Sequence, residues 1–478
     1  MTSLDLTIIV GYFLIVVGLG CFAGRGQRSL RDYFLGGQSV PWWAAMASGI
    51  ATIVSAVSYL GAPGVSYHGD YTLHQYRLGL PVVALVLCGI MIPRFYRRQH
   101  FSIYQYLEER FDLRTRLAAS GVFIVLKLCY LAVVIYAPAL VMEKMFGWPT
   151  MVVMLFVGCL TTVYTVIGGI KGVIWTDTLQ LLVLMGGLVV VFLVALAGID
   201  GGLATVWSVG QSEDKFRFLN PSWSLTERYT VIGGLVGGSV YMLAQYGTDQ
   251  AELQRFLTTR SRAQANVALL GTLAVTFAFG LFVFLIGTTI WVFYRQHAPG
   301  AEPIASNEVM PIFILNELPS GIRGLLVAGV LSAAMSTIST VINSLTTVAV
   351  ADFHNRFART EATLRQARGL SLIVGVTGMI LALFASRLGN ILELTIQLST
   401  LFGGPLVGTF LAGMLFARTS AAGAFWGLVA GFVLSMTLTW STSWSFLWVG
   451  AFAVTPPFVL GQLMRDRRSL SDAGRHRG

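Results

Sequence analysis

Two stretches decide how this chain folds: Gly61-Ala62-Pro63-Gly64, within an apolar segment over about 42–66, and Gly233-Gly234-Leu235-Val236-Gly237-Gly238-Ser239, which opens another over about 229–248. The first segment also carries Ser48-Gly49, Ser55 and Ser58. Glycine and proline weaken a helical ladder, and freed carbonyls at membrane depth are tolerated only where they line a cavity. The two segments lie five helices apart. Interrupted helices in matching positions of two halves point to an inverted-repeat transporter with its site at the midplane. The alternative is that the small residues only let helix backbones pack closely.

The rest of the chain fits a membrane setting. Of 478 residues, 55% are hydrophobic and 11% charged, against about 25% charged in an average soluble domain. Stretches near the roughly 20 apolar residues a spanning helix needs recur throughout. Thirteen apolar segments are predicted, near 6–24, 42–66, 78–96, 117–142, 150–168, 173–197, 229–248, 266–294, 322–351, 368–387, 390–416, 421–440 and 443–463. The first is followed by Arg25, Gly26, Gln27 and Arg28 with no small-residue cleavage site, so it is expected to be retained.

The net charge of +10 does not point to nucleic acid, because the positives flank helices instead of forming a stripe. With the N-terminus outside, 23 of the 32 Lys and Arg fall in inner loops and the tail, and 8 fall outside. That bias predicts an N-out, C-in multi-pass protein of the plasma (inner) membrane. Lys127 is the remaining one, inside a helix. The cysteines, Cys21, Cys88, Cys129 and Cys159, sit singly in apolar stretches, without metal-ligand spacing. The expected organisation is an extra helix and inner loop (1–40), a five-helix repeat (41–197), an extracellular loop (198–228), a second repeat (229–416), and two helices with a basic tail (417–478).

One helix carries dense oxygen chemistry. Ala333-Ala334-Met335-Ser336-Thr337-Ile338-Ser339-Thr340 places four hydroxyls within five residues, with Asn343-Ser344 following. Ser336 shares a face with Ser339 and Thr340. Such hydroxyls often bond back to the preceding turn, but small alkali cations need several hard oxygen ligands. Asp177, at the start of a span, could add a carboxylate; the alternative is an interfacial salt bridge with Lys171 or a loop arginine. Lys127 lies near mid-bilayer among Val125, Leu126 and Leu128, and is expected to face a cavity. Asp177 and Asp249 are placed near the inner helix ends, too far to pair with it, so a solute carboxylate is its expected partner.

These residues resemble the sodium:solute symporter family over nearly the whole chain. The likeness rests on Tyr164-Thr165 through Gly168-Gly169 to Trp175-Thr176-Asp177-Thr178-Leu179-Gln180, on Gln250-Ala251-Glu252-Leu253-Gln254-Arg255, and on Ala333–Ser344 with Asp352. The resemblance implies an all-α integral membrane fold of the LeuT type, with about 13 transmembrane helices in a 5+5 inverted repeat, and alternating access. It implies a main Na+ site of Ala51, Val54 and Ala333 carbonyls with Ser336 and Thr337 hydroxyls. It also implies a second Na+ at Asp177, Ser336, Ser339 and Thr340, so one or two coupling ions. Ile135-Tyr136-Ala137-Pro138-Ala139-Leu140 and Gly403-Gly404-Pro405-Leu406-Val407-Gly408 resemble the iodide, monocarboxylate and multivitamin branch. Val57-Ser58 replaces the Glu-Gln pair of the sugar branch, and Asp249 and Lys127 depart from the anion branch. Candidate solute contacts are Val57, Ser58, Lys127, Tyr241 and Gln245.

The expected function is sodium-coupled symport of a small solute, an organic or inorganic anion such as a monocarboxylate. The alternatives are a neutral solute (sugar, polyol or amino acid) and a non-transporting membrane sensor. No filter loop suggests a channel. The six histidines are scattered, with no nucleophile–base or metal constellation for an enzyme. The expected partners are the solute, sodium and the bilayer, and the sequence sets no oligomeric state.

Overall fold

In the computed structural model, residues 1–98, 100–298, 304–358, 360–385 and 391–464 are described, excepting the side chains of 56, 57 and 391–400. The side chain of the candidate solute contact Val57, residues 386–390 and the basic tail beyond 464 therefore lie outside the described structure. The described residues are almost wholly helical, with one isolated bridge between Val40 and Thr259.

The helices used below are α1 (Ser3–Ala23), α2 (Trp42–Ile53), α3 (Ala56–His68), α4 (Leu113–Phe146), α5 (Thr150–Ala197) and α6 (Val231–Gly247). They continue with α7 (Gln250–Leu257), α8 (Arg262–His297), α9 (Ile322–Val348), α10 (Leu364–Ala382), α11 (Ile391–Leu415) and α12 (Ala421–Ser441). Eight helices among the described residues are long and apolar enough to cross a membrane, or nine if α2 and α3, bent by 60°, form one span. The thirteen-segment reading splits α5 in two, where Gly169 adopts φ 51°, ψ −156°. It also counts α6, α10 and the helix ending at Leu415, which do not reach that standard alone.

Among the described residues one bent span is present, α2 with α3, while the second predicted interruption is absent from its segment and the chain breaks only after it; neither break falls where the glycines predict. In the first, α2 ends at Val54 (φ −79°, ψ 73°) and Ser55 caps α3, while Pro63 sits inside the continuous helix α3. In the second, all the glycines of 233–238 lie within continuous α6, and the chain turns at Thr248–Asp249 before α7. The glycines serve contact: a Cβ at Gly238 or Gly234 would strike the carbonyl oxygen of Tyr76 or Gln75. Close packing, the alternative reading, is what they do. The breaks are made instead by side-chain caps, Ser55 Oγ accepting from Ser58 N and Asp249 Oδ1 from Ala251 N, a substitute for ladder bonds.

Helix α9 is the centre of the bundle. Nearly all its residues are buried, and it packs along α5, α4 and α1. A helix apolar or small on every side belongs in a core. At one end it is tied by charge: Arg116, on α4, lies 2.6 Å from Asp352 and 2.5 Å from Glu108, and Ser102 Oγ donates to Asp352 at 2.7 Å. Arg116, read from sequence as a loop charge, is a buried structural cation.

Candidate cation and solute sites

The break in α2 frees a carbonyl. In an unbroken helix the Ser55 N–H would bond to the Ala51 oxygen; here it turns to Ile53. The Ala51 oxygen accepts from Ser336 Oγ on α9 at 3.1 Å. Ser336 Oγ also reaches the Ala333 oxygen at 3.1 Å, as does Thr337 Oγ1 at 3.1 Å. The Ser58 N–H, which a continuous helix would give to Val54, is engaged by Ser55 Oγ. Ala51, Val54, Ala333 and Ser336 are all fully buried or nearly so. These carbonyl and hydroxyl oxygens are hard donors of the kind a small alkali cation takes, so they fit sodium.

Asp177 is fully buried on α5, not interfacial. Its Oδ2 accepts from Ser48 Oγ at 2.6 Å and lies 3.5 Å from Arg255 Nη1, while its Oδ1 has no partner. Arg255 Nη2 donates to Thr340 Oγ1 at 2.9 Å, and Ser339 Oγ donates to the Ser336 oxygen at 3.0 Å. The orphaned Oδ1 fits a cation ligand. The guanidinium already supplies one positive charge to this cluster: an arginine counted with the loops does pair with Asp177, as the alternative held, but in the core and not at the interface.

The buried setting of this arginine is what the sequence did not reveal. Arg255 counts from sequence as a loop positive, yet it is fully buried, and every residue of α7 is buried although the helix is largely polar. Gln250 accepts from Ile103 N and donates to the Phe101 oxygen, and Gln254 Nε2 donates to the Phe34 oxygen. A short polar helix directly after an interrupted one was the signal available. Ser48 and Thr52, which hold Arg255 through Ser48 Oγ at 2.8 Å and through Thr52 Oγ1, were also missed as site residues.

Between these helices lies a cavity of about 140 Å³ lined by Lys127, Tyr241, Gln245, Asp249, Glu252 and Thr337, among others. It thus collects Lys127, Tyr241 and Gln245 of the predicted solute contacts. Ser58 instead bonds with Ser55, Oγ to Oγ at 3.3 Å, at the start of α3. Lys127 does not wait for a solute: its Nζ lies 2.5 Å from Asp249 Oδ2 and 5.1 Å from the Tyr130 ring. The expectation that Asp249 is too distant fails because α6 breaks at Asp249 inside the bundle, so this acid caps α7 at the cavity and not at a helix end by the membrane surface.

The comparisons with known proteins agree with this geometry. Residues 33–431 match the model of the sodium:solute symporter family. The chain is 30% identical over 441 residues to the sodium/sialic acid symporter SiaT of Proteus mirabilis, covering 90% of this chain and 88% of that one. It is 30% identical over 464 residues to human sodium-coupled monocarboxylate transporter 1, covering 95% and 74%. A solved substrate-bound, outward-open Na+-coupled sialic acid symporter superposes with a TM-score of 0.89 at 27% identity, over 97% of each chain. With an all-helical LeuT-type fold, a hydroxyl-lined break and a family match spanning most of its length, this chain is a sodium-coupled transporter of the sodium:solute symporter family.

Proposed function

We propose that the protein takes up a small carboxylate solute with sodium, by alternating access, in the plasma membrane with its N-terminus outside and C-terminus inside. The reading takes 41–197 and 229–416 as two inverted five-helix repeats within thirteen spans. The observation that carries it is the Ala51 carbonyl, released from its own ladder and held by Ser336 across the bundle. This contact joins one interrupted helix to the hydroxyl helix, so a cation bound there draws α2 and α9 together. Thr337 belongs both to this oxygen set and to the cavity wall, which supports coupling between ion and solute. Asp177, Ser336, Ser339 and Thr340 are proposed for a second sodium.

The chain's own groups prepare the site. Ser336 and Thr337 hold their hydroxyls on the Ala333 carbonyl, and Arg255 positions Asp177 and Thr340. When bound, sodium supplies a positive charge that makes solute binding favourable. The carboxylate class is supported by the relatives named above, not by a lone Lys127. In proteoliposomes, uptake of a carboxylate should require an inward sodium gradient and collapse when sodium is replaced by choline. Gradient-independent uptake would overturn the reading.

A further inference from the structure

The cavity wall carries an acidic side chain with an unpartnered oxygen. Lys127 is neutralised by Asp249 at 2.5 Å and shielded by the rings of Tyr130 and Phe123 at 5.1 and 6.0 Å. One turn along α7 from Asp249, Glu252 also lines the cavity. It is only 3% exposed, and its Oε2 has no hydrogen-bond partner. Its polar neighbours on the same short helix, Gln250, Gln254 and Arg255, are all engaged elsewhere. A buried carboxyl group without a hydrogen-bond partner is costly. No group among the described residues hydrogen-bonds Oε2, and the Glu252 side chain stands on the wall of the solute cavity.

We infer that the solute carries a positively charged nitrogen as well as its carboxylate, and that Glu252 is the acceptor of that nitrogen. The ligand class is a small zwitterion, an α-amino acid or a betaine. The inference rests on the symport reading above and follows from this placement. Lys127 and Asp249 satisfy each other, which leaves Glu252 as an acidic group on the cavity wall whose Oε2 has no hydrogen-bond partner among the described residues. A positively charged nitrogen on the solute complements it, and a plain monocarboxylate or a polyol offers it none. Tyr241 and Phe402, also on the cavity wall, offer aromatic faces to an alkylated nitrogen.

The test is a thermal-shift and calorimetric screen of the purified full-length protein in detergent, with sodium or with potassium at equal ionic strength. The probes are matched: L-alanine, L-proline and glycine betaine against propionate, lactate and choline. At least one zwitterion should stabilise the protein in sodium, and its nitrogen-free or carboxylate-free counterpart should bind at least tenfold more weakly. Glu252→Gln should lower that zwitterion's affinity tenfold or more while leaving the shift produced by sodium alone, which also reports that the variant is folded. The inference is overturned if no zwitterion shifts the protein, if propionate or lactate binds as well as its amino counterpart, or if Glu252→Gln binds the zwitterion normally. The symport reading fails separately: zwitterion binding that is equal in sodium and potassium, yet lost in Glu252→Gln, would keep the Glu252 assignment and discard sodium coupling.

Discussion

Ser336 and Thr337 each contribute one oxygen to the proposed main cation site, and each is replaceable without enlarging anything. Alanine at either position removes a hydroxyl contact to a charge, worth about 1.5–3 kcal/mol, so half-saturating sodium should rise on the order of tenfold, at about 1.4 kcal/mol per decade. Sodium titration of uptake in both variants checks this, and an unchanged curve in either removes that residue from the site. Asp177→Asn answers a different question. If Asp177 Oδ1 ligates a second ion, the Hill coefficient for sodium should fall toward one in the variant while some coupled uptake persists. A wild-type coefficient already at one would show that the Arg255 guanidinium is the resident cation of this cluster. Lys127 and Asp249 form a third case, because breaking a pair that is mostly shielded strands its partner, at a cost below the roughly 3–5 kcal/mol of a fully buried pair. Lys127→Met should therefore destabilise the protein, and Lys127→Met with Asp249→Asn should recover most of the loss. Additive losses in that double-mutant cycle would show that the two do not pair. Much of this residue-level site was legible in the sequence. Ser336, Thr337, Asp177 and Lys127 stand out as polar groups in apolar helices. Their partners do not: Ser48 reaches Asp177 across 129 residues, Arg255 lies beside the same carboxylate from α7, and neither carries a periodicity of its own.

At the level of elements, the apolar segments translated into helices with little loss, because a 20-residue apolar stretch in lipid has few other ways to satisfy its backbone. The breaks were less legible. Glycine and proline mark where a helix can be interrupted or closely approached, and sequence does not separate the two. In α6 the glycines answer to the Gln75 and Tyr76 backbone, and in α3 Pro63 is accommodated within the helix. The true interruptions, at Val54–Ser55 and Thr248–Asp249, are set by capping side chains that look ordinary in a polar stretch. Gly169 is the exception, where the backbone requires glycine: its φ of 51° with ψ of −156° lies in a region open essentially to glycine alone. A side chain there would also meet the Tyr33 ring and carbonyl oxygen, at 2.7 and 2.8 Å from the added Cβ. Gly169→Ala should lower the unfolding temperature in detergent by several degrees, more than Gly121→Ala, where a Cβ meets nothing. Equal effects would show the kink to be incidental.

For the molecule as a whole, several of the charges that are buried among the described residues gather into knots. Arg116, Asp352, Glu108 and Ser102 bind the start of α4 to the chain just beyond α9. Their residues are spread over 250 positions, so the knot closes only in the assembled bundle. Arg116→Met should cost about 3–5 kcal/mol by leaving Asp352 buried without its partner. Heat-induced aggregation or fluorescence-detected melting would register it, and a wild-type midpoint would show that the knot is not structural. The basic asymmetry that predicts orientation is a property of loops at this scale. Impermeant thiol labelling of cysteines placed at Thr2 and Arg418 should label the first from outside and the second only after permeabilisation.

The stripe of glycines on α6 has one more implication. Packing in proteins normally interlocks ridges with grooves, so a helix that moves along its neighbour must climb from one notch to the next. Where α6 meets the turn over Thr72–Arg77, the Gln75 and Tyr76 carbonyls face Gly234 and Gly238. The side chains that α6 sets against this seam are few, Ser239 on the Gly79 carbonyl and Tyr241 on the Tyr76 ring. Beyond the break, by contrast, α7 is bolted through Gln250, Gln254 and Arg255. The two sides of the break are held differently, by close backbone contact on one and by side-chain hydrogen bonds on the other, and Asp249 with its lysine sits on the boundary between them.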